Sequence, residues 1–236
     1  MRKRIKYRSL LPIYSVILTL CLLLAIGGSR VVTTFSANAP LKNRKTIIID
    51  PGHGGVDGGA TSCTGILESQ YNLEISIRLR DLFHLLGTDT LMIRETDCSI
   101  YTAGESIAQK KISDLKERVR IVNSTPNAVL ISIHQNFFTQ AQYSGAQMFF
   151  APTEGSKDLA QNLQKAFIQT INTGSNRKVK SADGIYLMQH VNCPAVLIEC
   201  GFISNPTEAY LLSDAQYQMK ICAVIATTMT NALFDT

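Results

Sequence analysis

The chain has no surplus of charge outside its first eight residues. Its formal net charge is +5, and Arg2, Lys3, Arg4, Lys6 and Arg8 supply five positive charges with no acid among them, leaving zero for residues 9–236. The basic isoelectric point therefore reflects one short flank, not a surface built for nucleic acid, and no nucleic-acid partner is expected. The six cysteines include no C-x-x-C pair, which argues against a zinc ribbon or a thioredoxin-type site. A disulfide framework fits poorly too. Cys21 lies in an apolar run, and the remaining Cys63, Cys98, Cys193, Cys200 and Cys222 are five, which cannot all pair within one chain. They read as free, small, buried residues. Internal repeats and low-complexity tracts are also missing.

The basic flank gives way to an almost wholly apolar run, Leu10 to Ile26, interrupted mildly by Pro12, Ser15 and Thr19. Seventeen residues is close to the lower limit for a membrane span, and the basic flank places the N-terminus inside and the rest outside the cytoplasm. The one small-x-small site, Ala37-Asn38-Ala39, lies well past that run and precedes Pro40, which favours an uncleaved anchor over a removed signal peptide. The expected organisation is a flank and membrane segment over 1–35, a polar linker over 36–45, and a catalytic domain over 46–236. The membrane is thus one expected partner.

Beyond the linker, strand and helix signals alternate. Strands are expected at 46–50, 90–93, 128–133, 145–150 and 195–199. Tyr71, Ile75, Leu79, Leu82 and Leu86 repeat at helical spacing and are closed by Gly87. Further helices are expected over 113–123 and 156–171. Asn205-Pro206-Thr207-Glu208 supplies an N-cap, a first-turn proline and a capping acid, and Ser213 with Gln216 repeats the capping pattern for a last helix. The alternation predicts an α/β fold with helices on both faces of one mostly parallel sheet.

The stretch Ile47-Ile48-Ile49-Asp50-Pro51-Gly52-His53-Gly54-Gly55 reads as a buried strand that stops at Pro51 and delivers a histidine among glycines. Those glycines are not a dinucleotide fingerprint, because Asp57 occupies the third glycine position, and no Lys-Ser/Thr comes after them to make a P-loop. Val129-Leu130-Ile131-Ser132-Ile133 similarly delivers His134, and Ala195-Val196-Leu197-Ile198 delivers Glu199. Glu68 opens the first long helix. Taken singly, each has an ordinary reading: a paired histidine, a dipole-favoured surface acid, a salt-bridged glutamate. Together they place two imidazoles and two carboxylates at the carboxyl edge of one sheet, where open α/β sheets bind ligands. Two imidazoles and one carboxylate suit Zn²⁺ with a position left for water, and the other carboxylate could accept that water's proton. Spacings of 15 (53 to 68) and 66 (68 to 134) differ from the H-E-x-x-H helix pattern.

From Ile47 onward the chain resembles the zinc-dependent N-acetylmuramoyl-L-alanine amidases known as amidase type 3. The resemblance is carried by DPGHGG at 50–55, Glu68 within GILES, R-x-T-D at 94–97, Arg118 and Asn123, SIHQN at 132–136 and PAVLIECGFISN at 194–205. It implies about six strands, zinc held by His53, Glu68 and His134, and a catalytic Glu199. The implied reaction is hydrolysis of the amide between the lactyl group of N-acetylmuramic acid and L-alanine in peptidoglycan. Only 65 positions separate His134 from Glu199, which leaves no room for the helical segment that covers the zinc in regulated members. The segment 98–112, the short chain and the N-terminal apolar run resemble the spore-cortex branch of the family. That branch implies a role in sporulation and germination through muramic-lactam formation, a location outside the cytoplasm in the forespore and cortex space, and an accessory activator protein as a further partner.

Two other readings compete. Cys200 could act as a nucleophile with His134 as its base, but strand alternation turns Cys200 away from the face that carries Glu199. A glycan-binding module without catalysis would be favoured by loss of a ligand or of the acid, and all four residues are present. His84, within an apolar helix, is expected to be structural.

Overall fold

The computed structural model describes residues 45–234. The expected basic flank, the apolar run and the linker up to residue 44 lie outside the described residues. In chain order the elements are β1 (Thr46–Pro51), α1 (Glu68–Leu85), β2 (Thr90–Met92), α2 (Ile107–Ser124), β3 (Ala128–Asn136), β4 (Gln147–Phe150), α3 (Ser156–Thr170), β5 (Lys180–Ser181), α4 (Tyr186–His190), β6 (Ala195–Phe202), α5 (Pro206–Ser213) and α6 (Ala215–Phe234). Among the described residues no helix is long and apolar enough to cross a membrane.

The six strands form one sheet in the order β2-β1-β3-β6-β4-β5. All neighbours are parallel except β4, which runs antiparallel to β6. The β-branched runs explain why β1, β3 and β6 are central, since Ile47, Ile48 and Ile49 are fully buried and need helices on both faces. On one face Ile49, Ile131 and Ile198 pack against Tyr71, Ile75 and Leu79 of α1, Phe167 of α3 and Ile225 of α6. On the other, Ile48, Leu130 and Leu197 meet Val122 of α2 and Leu187 and Met188 of α4. Two helices, one of them a five-residue turn, cover that second face. The parallel register aligns Asp50 with Ser132 and His134 with Glu199, so the polar residues that end these strands gather at one edge.

The helix expected to begin near residue 113 begins instead at Ile107. Ser106 accepts a hydrogen bond from the Gln109 backbone N–H, and Gln109 in turn accepts from the Ser106 backbone N–H, a complete capping box. The sparse apolar pattern of its first turns concealed it, because Ile107 and Ile112 point to solvent. The last helix is also capped differently from expectation. Asp214 accepts from the Tyr217 N–H, whereas Ser213 belongs to α5 and donates to the Ala209 carbonyl. The elements β5 and α4 had no sequence signal, being two and five residues long. All five described cysteines are free, and Cys193, Cys200 and Cys222 are buried as expected, but Cys63 is exposed and Cys98 half-buried.

Because the Ser106 capping box ties down the start of α2, Ser106→Ala is expected to lower unfolding free energy by about 1 kcal/mol. Chemical denaturation of the two proteins checks this; an unchanged midpoint would mean the first turns of α2 contribute nothing to stability.

Candidate metal centre and active site

Construction of the site begins beneath it. Asp50, at the end of β1, is buried and takes an ion pair from Arg118 and a 2.6 Å hydrogen bond from the Ser132 hydroxyl. Burial alone would raise its pKa, but the Arg118 charge and the Ser132 hydroxyl outweigh that and lower it. Arg118 also donates to the carbonyls of Pro51 (3.0 Å) and His53 (2.7 Å). From the other side Arg94 donates to the carbonyls of Pro51 (3.0 Å), Gly52 (2.9 Å) and Ser69 (3.0 Å). Two guanidinium groups thus hold three successive carbonyls, and His53 is kept at φ 61°, a left-handed conformation uncommon for a residue with a side chain.

The imidazoles meet above this clamp. The His53 and His134 ring centroids are 5.0 Å apart at 73°. Between them lies Glu68, the first residue of α1, whose carboxylate is 3.2 Å from His53 Nε2 and 2.9 Å from His134 Nδ1. Close approach depends on glycine at Gly52, where a Cβ would stand 2.2 Å from His134 Nε2. Glu68 is fixed further by backbone N–H groups of Ala60 (3.1 Å) and Gln135 (3.3 Å). On the far side of the His53 ring, Nδ1 donates to Asp57 (3.0 Å), and Lys111 of α2 completes the chain at 2.7 Å from the other Asp57 oxygen. With Nδ1 so engaged, Nε2 is the nitrogen that donates to Glu68, and release of its proton would free the lone pair there for a cation.

One donor atom from each of His53, Glu68 and His134 lies within 4.8 Å of the others, a geometry able to hold a metal ion. The set fits a divalent cation on chemical grounds. Burial would raise the Glu68 pKa, yet hydrogen bonds from both imidazoles hold it well below the usual carboxylate range. For His53, burial favours the neutral ring, but Asp57 and Glu68 prevail and raise its pKa to about 9. An arrangement that attracts a proton this strongly attracts a metal cation for the same reason.

Glu199 sits across the β3–β6 pair from His134. Among the described residues its Oε2 is buried without a hydrogen-bond partner. Burial, partly offset by His134, pushes its pKa up to about 7. A buried, unpaired carboxylate oxygen is costly unless it has work outside the fold.

The structure thus brings together all four residues singled out in the sequence. It leaves others outside: His84 bonds Thr90 (2.7 Å) as a structural residue, and His190 stacks on Tyr186. Asn123, within the family-like motif, bridges α2 to the segment after α4 through the His190 carbonyl and the Asn192 N–H. Cys200 is fully buried on the opposite face, and burial pushes its thiol far above the ordinary value, which removes it as a nucleophile. Sequence reasoning missed Asp57 and Lys111. The signal for Asp57 was a carboxylate four residues after a candidate ligand, a common outer partner of a metal-binding imidazole.

Amide hydrolysis needs a group to polarise a carbonyl and a base beside it, and this sheet edge sets a three-residue donor cluster next to an unpartnered carboxylate. Residues 47–231 match the family described as N-acetylmuramoyl-L-alanine amidase, and the chain belongs to that family. It is therefore a hydrolase, an amidase acting on peptidoglycan. Among curated proteins it is similar to the germination-specific N-acetylmuramoyl-L-alanine amidase of Bacillus subtilis, with 38% identity over 77% of this chain and 76% of that protein. Among solved structures it is similar to the CwlD amidase from Clostridioides difficile in complex with the GerS lipoprotein. That match has a TM-score of 0.78 and 38% identity, covering 82% of this chain and all of the other. An N-acetylmuramoyl-L-alanine amidase from Clostridium difficile 630 is more distant, at 28% identity and TM-score 0.70, covering 80% and 96% of the two chains.

Protonation of His53 opposes metal uptake. Its folded pKa lies above the ordinary 6.5, so the associated stability of the metal-stripped protein is complete below 6.5 and is lost as pH rises through about 9. A metal-binding ring must be neutral, so the affinity of this cluster for a divalent cation should fall about tenfold for each pH unit lost below that value. Competition against a chromophoric chelator from pH 7 to 9 measures it. A flat profile would show that His53 is not protonated in the stripped protein.

Proposed function

We propose that this amidase is zinc-dependent, that His53, Glu68 and His134 hold the zinc, and that Glu199 is the catalytic base. The observation that carries the reading is the unpartnered Oε2 of Glu199 beside that donor set. Zinc bound there would supply Lewis acidity, polarising the scissile carbonyl and easing ionisation of water.

The chain's own residues do the rest. Glu199, poised near neutral pH, takes a proton from the attacking water as its oxygen bonds to the lactyl carbonyl carbon. As the C–N bond breaks, Glu199 returns that proton to the nitrogen of L-alanine, which leaves as an amine. Asp57 holds the tautomer of His53, and the Arg94 and Arg118 clamp keeps its ring aimed at Glu68. The products are a muramic acid with a free lactyl carboxylate and a stem peptide with a free amino terminus. Similarity to the germination-specific enzyme supports spore-cortex peptidoglycan as the substrate, with muramic-lactam formation downstream. The complex of CwlD with a lipoprotein supports an accessory protein partner of that kind here. Residues 1–35 are proposed as a cytoplasmic flank and membrane segment, joined through 36–45 to the catalytic domain outside the cytoplasm.

Roles separate in two substitutions. Glu199→Gln is expected to keep zinc and lose about 10²–10⁴-fold in turnover on intact peptidoglycan, the usual worth of a general base. Glu68→Gln should lose zinc instead, because a neutral amide replaces an anionic ligand. Metal content and mass spectrometry of the products read both effects. Zinc loss in the first protein with retention in the second would reverse the assignments.

Cell fractionation tests the location. A full-length, membrane-bound protein whose catalytic domain is open to external protease is expected. A soluble product beginning near Asn38 or Pro40 would replace the anchor with a signal peptide, and a domain shielded in the cytoplasm would contradict the peptidoglycan substrate.

A further inference from the structure

On the sheet face covered by α2 and α4, a cavity of about 210 Å³ is lined by His53, His134 and residues of the first turns of α2. Val56, Leu115, Leu187 and Leu197 contribute apolar wall. All but one of its charged side chains are paired. Asp50 pairs with Arg118, Asp114 pairs with Arg118 and accepts from the Ile100 N–H, and Asp57 is shared by His53 and Lys111. Lys110 is the exception. Among the described residues it has no carboxylate partner, and its ammonium lies 5.1 Å from the centroid of the Tyr101 ring. A cation stationed on an aromatic ring keeps its position without losing its charge.

We infer that this cavity is the subsite for the stem peptide and that Lys110 binds a free carboxylate on the residue following L-alanine. The inference rests on the amidase reading and goes beyond it by assigning the direction of the peptide and one specificity-determining residue. An extended peptide advances about 3.3–3.6 Å per residue, so the residue after alanine lies about 7 Å from the breaking bond. The two imidazoles and Lys110 line this same cavity, so a peptide held in it with its scissile bond at the imidazoles has its following residue in the cavity that carries the lysine. The apolar wall suits the alanine methyl group. Tyr101 and Lys110 both belong to the stretch 98–112, whose purpose the fold alone does not explain. An acidic peptide is thus selected by the one cation of the cavity that lacks a counter-ion.

Two muropeptides that differ only at the second residue test this: the γ-methylamide of N-acetylmuramoyl-L-alanyl-D-glutamate, whose one free carboxylate on that residue is the α-carboxylate (the acid), and the same compound with the α-carboxylate converted to a carboxamide (the amide). With the full-length, zinc-loaded enzyme, KM for the acid should lie about tenfold below that for the amide, the scale of one charge-assisted hydrogen bond. Lys110→Met should raise the acid's KM to the amide's level and leave kcat and the thermal midpoint unchanged, while Lys110→Arg should retain the preference. An equal acid-to-amide ratio in wild type and Lys110→Met, or an equal fall in kcat for both substrates, would overturn the subsite. Calorimetric binding of the same two compounds separates the failures. Acid-selective binding lost in Lys110→Met, without turnover by wild type, keeps the subsite and removes the amidase reading. Turnover of both compounds with equal KM removes the subsite and keeps the amidase, and neither binding nor turnover removes both.

Discussion

Everything at the active edge depends on one buried ion pair, Asp50 with Arg118. Taking two charges out of water costs several kcal/mol per ion, and such a pair persists only where further hydrogen bonds satisfy both partners. Here they do. The guanidinium spreads over two carboxylates and two carbonyls, while the Asp50 carboxylate also receives Ser132. Stability is not the clearest return, since apolar residues could fill the same volume. The clearer return is position: Arg118 reaches from a helix across the end of β1 to the carbonyl of His53, and so sets where an imidazole begins. Arg94 does the same for Gly52 from the far side, and its own pKa is lowered by burial and by the nearby Arg118. Two like charges near each other are tolerated because the carbonyls between them carry the compensating partial charge.

Above this clamp the site is assembled by strand register more than by loops. His134 and Glu199 are direct neighbours across β3 and β6, so no flexible segment intervenes between the His134 ring and the buried carboxylate. Rigid strands hold such groups more accurately than loops can. Glu68 enters from the first turn of α1 and is bound by backbone donors at Ala60 and Gln135, which fixes it to both the glycine loop and β3. The glycine loop is itself braced by residues of the R-x-T-D stretch and its continuation: Asp97 accepts from the Gly55 N–H at 2.9 Å, and Ser99 donates to the Gly54 carbonyl at 2.7 Å.

Much of this was legible in the residues, for identifiable reasons. Runs such as Ile47-Ile48-Ile49 can be buried only in a central strand, which locates the carboxyl edge and with it His53, His134 and Glu199. The metal-binding role proposed for Glu68 needed the family resemblance, because one acid at a helix start is usually a surface residue. Asp57 was hidden for a different reason. Its contact with His53 depends on a left-handed turn at His53 itself, and no periodicity encodes that. The early start of α2 was hidden because its first turns expose their isoleucines, and β5 and α4 because elements so short are defined by tertiary pairing. Cys63 and Cys98 departed from expectation since both lie in irregular segments around the site, where small residues need not be buried.

The sheet ends in β2 on one side and β5 on the other, three and two residues long. Unpaired edges invite other chains to add strands, and very short ones are a common defence. Neither edge here has the length to template a stable intermolecular ladder. An amidase acting on peptidoglycan is thereby protected from edge-to-edge aggregation. Any protein that docks on this domain must then engage its helices, loops and side chains, because the backbone of the sheet has almost nothing left to offer.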